Sequence, residues 1–147
     1  MIQRIQSLFL LLAAASAFAL FGLPFASMEA DPTATSTIFA DGVYNIMDHI
    51  GTMVLFGLAG ALALVSIFLF NNRKLQMSLG RFAIIANVIG FILAIVLFYN
   101  DRDKLGPSTP DDQLGVYLPI VFIVFALLAL RFISKDDKLV KSMDRLR

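Results

Sequence analysis

Four long apolar blocks, separated by short polar groups, dominate the pattern along the chain. Each block approaches the roughly 20 residues that an α-helix needs to cross a hydrocarbon core about 30 Å thick. Stretches such as AIIANVIGFILAIVLF lack the alternation that is typical of membrane β-barrel strands. The pattern therefore predicts an all-α integral membrane protein whose four transmembrane helices form an up-down bundle. The predicted spans cover residues 7–26, 50–70, 82–99 and 115–133.

Composition favours the same class. The chain of 147 residues is 59% hydrophobic and only 16% charged, which gives more apolar surface than one soluble core can bury. We therefore expect a lipid bilayer to surround a transmembrane domain over residues 1–133. A basic amphipathic tail over residues 134–147 follows it.

The basic residues predict the orientation of the spans. Ten of the twelve precede the first block, lie between the second and third blocks, or follow the fourth; only Arg102 and Lys104 lie elsewhere. The positive-inside rule then places both termini and the middle connection in the cytoplasm. The expected location is a bacterial cytoplasmic (inner) membrane, with several passes. The acidic outer connections either only direct insertion or form a site for a cation or a basic partner.

The first block, MIQRIQSLFLLLAAASAFALFGLPFA, is predicted to be an uncleaved span rather than an export signal. Its apolar stretch of about 20 residues exceeds the usual length of roughly 7–15 in a signal peptide. Cleavage after Ala19 would leave a new N-terminus that is itself apolar. Cleavage remains the alternative, and it would leave three helices in the same orientation.

Both ends of the chain resemble one protein family. MIQRIQSLFLLLAA and LALRFISKDDKLVKSMDRLR are similar to the terminal signatures of small four-span membrane proteins of Bacteroidota, called domain of unknown function 4293. The likeness extends over the whole chain. It implies an uncleaved first helix and a four-helix inner-membrane protein, and it implies no activity, because none is assigned to the family.

The tail is the most patterned polar segment. Phe132, Leu139 and Leu146 are spaced by seven, so a helix over residues 134–146 would carry one apolar stripe. We predict a surface for lipid or for a protein partner, with the candidate residues Lys135, Lys138, Lys141 and Arg145. Three arrangements are open: the helix continues the fourth span, lies on the membrane surface, or docks on a cytoplasmic protein.

The first outer connection contains a candidate β-hairpin. TSTIFADGVYNI places β-favouring residues on both sides of Asp41 and Gly42, a pair preferred in two-residue hairpin turns. A short hairpin over residues 37–46 would have to pack on the helix ends, because an isolated hairpin is marginal in water. A loose polar loop is the alternative.

Small residues recur every four positions inside the blocks, as at Ala86, Gly90 and Ala94. Such spacing lets helices approach each other closely in lipid. Asn87 lies beside this face, and we predict that it makes an interhelical polar contact. A ligand contact or a pore-lining position is the alternative for its amide.

Missing residue types exclude several chemistries. The chain has no cysteine, which excludes thiol–disulfide exchange and thiolate metal or iron–sulfur sites. His49 is the only histidine, so a bis-histidine haem is excluded, and we expect His49 and Asp48 to cap or flank the second span. No nucleophile lies in a hydrolase motif. We therefore predict a non-enzymatic protein with no cofactor, no metal and no nucleic-acid partner.

Two functions from different classes remain open. The favoured hypothesis is a membrane scaffold or accessory subunit that binds a partner protein through the tail or the outer hairpin. The alternative is a homo-oligomeric pore or small-solute transporter, lined by weakly polar residues such as Ser16, Ser66 and Asn87. No ionisable residue lies near the middle of a span, which argues against an ion-coupled transporter within one protomer.

Overall fold

Four α-helices form the frame of the protein. A computed structural model describes residues 2–28, 38–39, 41–102, 104 and 109–144. The helices are α1 (Ile2–Ala19), α2 (Ile50–Phe68), α3 (Arg73–Arg102) and α4 (Leu118–Asp144). Among the described residues, three helical segments are long and apolar enough to cross a membrane, whereas the apolar part of α1 is shorter. This architecture is compatible with a helical membrane protein.

Helices that follow one another in the sequence run antiparallel. Gly57 of α2 lies opposite Phe21, whereas Gly60 lies opposite Ala17 of α1. The most extensive packing joins α1 to α4 and α2 to α3. The middle of the interior consists of alanines and Phe122, and small side chains let helix backbones approach closely.

The first helix ends at Ala19, before residue 26, where the predicted first span ends. Leu20, Phe21 and Gly22 form a turn, and Pro24 follows them. Proline has no N–H group to continue a helix and disfavours helical geometry in the preceding residue. The chain after α1 is therefore free to enter a strand.

A small three-stranded sheet covers one end of the helices, which we call the cap end. Its central strand β1 (Ala26–Ser27) pairs antiparallel with β2 (Val43–Tyr44) and with β3 (Asp111–Asp112). Two 3-10 helices, Ile46–Asp48 and Leu114–Tyr117, connect this sheet to α2 and α4. The sheet therefore joins the segments that precede α2 and α4 to the end of α1.

The structure does not show the predicted hairpin over residues 37–46. Val43 and Tyr44 pair with β1 instead, while Ile38 and Phe39 belong to a turn that Gly42 closes by donating its N–H to the Phe39 carbonyl (3.0 Å). Residues 37 and 40 lie outside the described residues. Ile38 and Phe39 are 5% and 4% exposed, because their side chains pack into the apolar cluster of the cap. That burial outweighs a two-stranded hairpin, which is marginal by itself.

Aromatic rings form the core of the cap end. The ring of Tyr44 lies 5.5 Å from that of Phe25 and 5.8 Å from that of Phe39, and Phe39 lies 6.0 Å from Phe98 of α3. The Tyr44 hydroxyl donates a hydrogen bond to the Ala94 carbonyl at 3.0 Å. Burial, and then the charge of Asp48, raise the pKa of Tyr44 above its ordinary value. The hydroxyl therefore stays protonated and ties the sheet to α3.

Candidate functional site

The tail continues the fourth helix at the opposite end of the protein, which we call the tail end. The helix α4 runs unbroken through Asp144, and no glycine or proline follows Pro119 within it. Asp137 and Lys141 form an ion pair one turn apart, which supports the helix. Of the three arrangements that the sequence left open, the tail therefore has the first: it continues the fourth helix.

Contacts with α1 and α3 hold the tail in place. Gln6 donates a hydrogen bond to the Phe132 carbonyl at 3.4 Å, and the rings of Phe9 and Phe132 stack at 5.5 Å. Farther along, Arg73 at the start of α3 forms an ion pair with Asp136 at 3.0 Å. The two side chains are only 20% and 14% exposed, so water screens this ion pair less than an exposed one. The tail is therefore fixed in direction relative to the other helices.

One face of the tail is exposed and basic. Arg131, Lys135, Lys138 and Leu139 are exposed, while Ile133 on the other side of the helix is fully buried. The spacing of the three bases, at positions i, i+4 and i+7, puts them on the same face of α4. Within the described part of the chain, no ion pair uses them. We call these four residues the tail surface.

The four residues that the sequence predicted for this surface do not all belong to it in the structure. Lys135 and Lys138 belong to the tail surface. Lys141 is exposed but is paired with Asp137, and Arg145 lies outside the described residues. Sequence reasoning missed Arg131, although its spacing from Lys135 and Lys138 was a usable signal. It also missed Arg73, whose ion pair with Asp136 joins positions far apart in the chain.

The tail is longer than the headgroup layer of a membrane is thick. Arg131 is the first charged residue of α4, and Asp144 lies thirteen positions after it, which corresponds to about 20 Å of helix at 1.5 Å per residue. The polar layer on each side of a bilayer is roughly 5–8 Å thick. If the hydrocarbon core ends near Arg131, the region of Lys138 and Leu139 therefore lies at or beyond the outer limit of the headgroups.

A polar cavity of about 470 Å³ adjoins the tail on its other side. The connection between α2 and α3 contributes Asn72, and the start of α3 contributes Arg73 and Lys74. The tail contributes Asp137 and Val140. Asn72 also caps α3, because its side-chain oxygen accepts the Leu75 N–H at 3.2 Å. The lining charges are of both signs, and Arg73 and Asp137 already take part in ion pairs.

Asn87 lies in the interior of the protein, and its polar contact with another helix stays a prediction. Its side chain is fully buried. Neither its amide nitrogen nor its amide oxygen has a hydrogen-bond partner among the residues that the structure describes. An unsatisfied buried amide costs about 1–3 kcal/mol, so Asn87 reduces stability in this arrangement.

His49 and Asp48 act at the start of the second helix. His49 is the N-cap of α2, and its Nδ1 accepts the Gly51 N–H at 3.1 Å. Asp48 accepts the N–H of Asn45, and burial raises the pKa of its carboxyl, an effect that this hydrogen bond partly offsets. No three His, Asp or Glu side chains of the described segments come together in a metal-binding group.

Comparison with known proteins gives one match. A family model described as Domain of unknown function (DUF4293) matches residues 2–146, nearly the whole chain. No curated protein and no solved structure matches. The predicted family is therefore confirmed, and the function must be inferred from the chain's own surfaces.

Proposed function

We propose that this chain, which belongs to the family described as Domain of unknown function (DUF4293), is a non-enzymatic membrane scaffold or accessory subunit. In this proposal the tail surface binds an acidic surface of a partner protein. The excess of basic residues at the tail end supports a cytoplasmic position for this contact.

The observation that carries the proposal is a basic face that forms no ion pair with any described residue, on a helix that is held rigid. Arg73 and Gln6 fix the tail from the side opposite to its exposed bases. A surface that is already ordered loses little conformational entropy when it binds. The three bases give charge complementarity to an acidic partner, and the exposed Leu139 adds an apolar contact beside them.

A protein partner explains the length of the tail better than lipid does. Anionic headgroups attract bases close to the membrane surface, and this attraction falls off within a Debye length. Arg131 is well placed for that role. Lys138 lies about 10 Å farther along the helix at 1.5 Å per residue, where a soluble partner is within reach.

The pore hypothesis receives less support. Ser16, Ser66 and Asn87, its suggested lining residues, are 6%, 0% and 0% exposed within a single protomer. A channel between protomers would need polar side chains on an outer face. These three side chains face the interior instead.

Charge reversal on the tail surface tests the proposal. We would purify the protein from its own membrane in a mild detergent and quantify the proteins that accompany it in defined stoichiometry. Lys138→Glu should lower recovery of the partner by tenfold or more, because a like-charge contact at an interface costs several kcal/mol, on the order of a hundredfold in affinity. The matched control is Arg102→Glu, which makes the same charge change on an exposed residue at the cap end.

The control variant should retain the partner at the wild-type level. Equal losses from both variants would mean that net charge, and not the tail surface, governs the association. A wild-type protein that carries no stoichiometric partner would contradict the proposal outright.

A further inference from the structure

A second cavity lies at the cap end and has a mainly apolar lining. Its volume is about 210 Å³, which exceeds the roughly 150 Å³ of an apolar cavity known to bind benzene. Phe91, Ile95 and Phe98 of α3 form one wall, and Phe25 and Tyr44 of the cap form another. A space of this size and lining accommodates a hydrocarbon segment.

Exposed residues of α3 lie at the edge of the cavity. Ile95 and Tyr99, which line it, are 39% and 60% exposed. Ile92, one turn away, is also exposed on α3. In a membrane this face of α3 contacts lipid, so the entrance is reached from the bilayer.

Tyrosines place the entrance at the level of the lipid headgroups. The apolar stretch of α3 ends at Tyr99, and Asn100 and Asp101 follow it. Tyr117, in the 3-10 helix before α4, is likewise exposed. Tyrosine is enriched at membrane–water interfaces because its ring is apolar and its hydroxyl is polar. The apolar part of the cavity therefore faces the outer hydrocarbon layer in our orientation.

The polar group at the rim is an acid. Asp112 of β3 lines the cavity and is exposed. The Tyr44 hydroxyl is occupied, since it donates to the Ala94 carbonyl. A ligand that fills the apolar space and reaches Asp112 thus meets a carboxylate, and the ring of Tyr99 lines the same cavity. A carboxylate and an aromatic ring both favour an amine.

We propose that this cavity binds a membrane phospholipid whose headgroup carries an amine, with its acyl chain between α3 and the cap and its ammonium beside Asp112. The charge of the rim selects an amine-bearing lipid over an anionic lipid without one. The position of the entrance, on a lipid-facing helix at headgroup depth, selects a bilayer lipid as the occupant. This site lies at the opposite end from the tail surface and does not depend on the proposed function.

Lipid competition tests the site. The protein is placed in nanodiscs that contain equal amounts of phosphatidylethanolamine and phosphatidylglycerol with identical acyl chains, and native mass spectrometry then counts the lipids that stay bound. We expect one phosphatidylethanolamine per protomer, retained about threefold to tenfold more often than phosphatidylglycerol. Phosphatidylglycerol retained equally or preferentially would overturn the proposal.

Two pairs of variants separate the headgroup from the chain. Asp112→Asn should bring the ratio of the two lipids close to one, whereas Asp111→Asn, the same change on the neighbouring exposed carboxylate, should leave it unchanged. Ile95→Trp should block the entrance and lower retention of both lipids by tenfold or more. Its control, Ile92→Trp, puts the same bulk on the exposed face of α3 one turn away. This variant should retain both lipids at the wild-type level.

Each contrary result is informative. Equal effects of Asp111→Asn and Asp112→Asn would show a general charge effect and refute the site. Full lipid retention by Ile95→Trp would show that the lipids bind elsewhere. A lipid-free dimer of wild-type protein that Ile95→Trp dissociates would show that a second copy of the chain occupies the cavity. If Ile95→Trp fails to fold, the two aspartate variants decide the question.

Discussion

Replacing Gly115 by alanine should loosen the cap end, because the added methyl group has no space. A Cβ at this position would lie 2.2 Å from the Pro24 carbonyl oxygen, 2.6 Å from the carbonyl carbon and 2.7 Å from the Leu23 oxygen. All three atoms belong to the backbone, so no side-chain rotation relieves the overlap. The 3-10 helix that contains Gly115 must move away from the end of α1.

The expected cost follows from the contacts that this movement breaks. The Gly115 N–H donates to the Pro24 carbonyl at 2.9 Å, and the Gln113 N–H donates to the Phe25 carbonyl at 2.9 Å. Two hydrogen bonds at about 0.5–1.5 kcal/mol each, plus about 1–3 kcal/mol for overpacking, give a loss of about 2–6 kcal/mol. Pairing of β3 with β1 would weaken with them.

Hydrogen–deuterium exchange of the protein in detergent locates the damage, and thermal unfolding gives its size. Exchange should rise at the amides of β1 and at the Met28 amide after it, which donates to the Gly42 carbonyl. Amides in the middle of α2 should stay protected. Gly22→Ala is the matched control, since its Cβ would approach nothing closer than the Ala19 oxygen at 3.9 Å. If Gly115→Ala were as stable as Gly22→Ala, with β1 still protected, this reasoning would be refuted.

Three further changes have definite expected outcomes. Arg73→Gln should raise exchange in the tail, because it removes a partly buried ion pair with Asp136 that we value at about 1–2 kcal/mol. Asn87→Leu should raise the free energy of unfolding in detergent by about 1–3 kcal/mol, because it removes an unsatisfied buried amide. Asp48 binds a proton more tightly in the folded state, so stability should fall as the pH rises from the ordinary pKa of 3.8 to the raised pKa of the folded state. Asp48→Asn should flatten this fall in thermal unfolding curves.

Controls and contrary results are available for all three changes. Lys74→Gln removes an exposed charge next to Arg73 and should leave the tail protected; equal exchange in both variants would argue against the ion pair. A less stable Asn87→Leu protein would show that another molecule satisfies the amide. An unchanged pH dependence in Asp48→Asn would mean that its carboxyl does not titrate abnormally.

The apolar pattern predicted the helices well because long apolar runs are a strong local signal. It placed the second helix at residues 50–70, and α2 is Ile50–Phe68. It ended the first at residue 26, whereas α1 ends at Ala19, since the residues after Ala19 are apolar but Leu20, Phe21 and Gly22 form a turn. Hydropathy does not distinguish an apolar turn from an apolar helix.

The cap end was largely beyond sequence reasoning. The pair Asp41 and Gly42 favours a local hairpin, and Gly42 does have a positive φ of 77°. The partner of β2, however, is β1, which precedes it by many residues. Burial of Phe39 in the aromatic cluster is a tertiary effect, and pairwise turn preferences contain no information about it.

The candidate site, too, was predictable from the sequence only in part. Lys135 and Lys138 were predictable because a helical repeat puts them on one face with Arg131. The sequence did not predict that the two lysines form no ion pair with a described residue. This depends on the neighbouring acids, because Asp136 pairs with Arg73 and Asp137 pairs with Lys141. The apolar cavity beside Asp112 involves the cap, α3 and the 3-10 helix before α4, and no local pattern brings these together.

The central claim is that the tail surface contacts a protein, and crosslinking from Leu139 in the native membrane tests it most directly. A photoreactive amino acid would replace Leu139, which is 45% exposed, and in a control protein it would replace Met47, which is 54% exposed at the cap end. We predict one discrete protein adduct from position 139, lost when Lys138→Glu is added, and no such adduct from position 47. Lipid adducts alone from position 139, or the same protein adduct from both positions, would contradict the account.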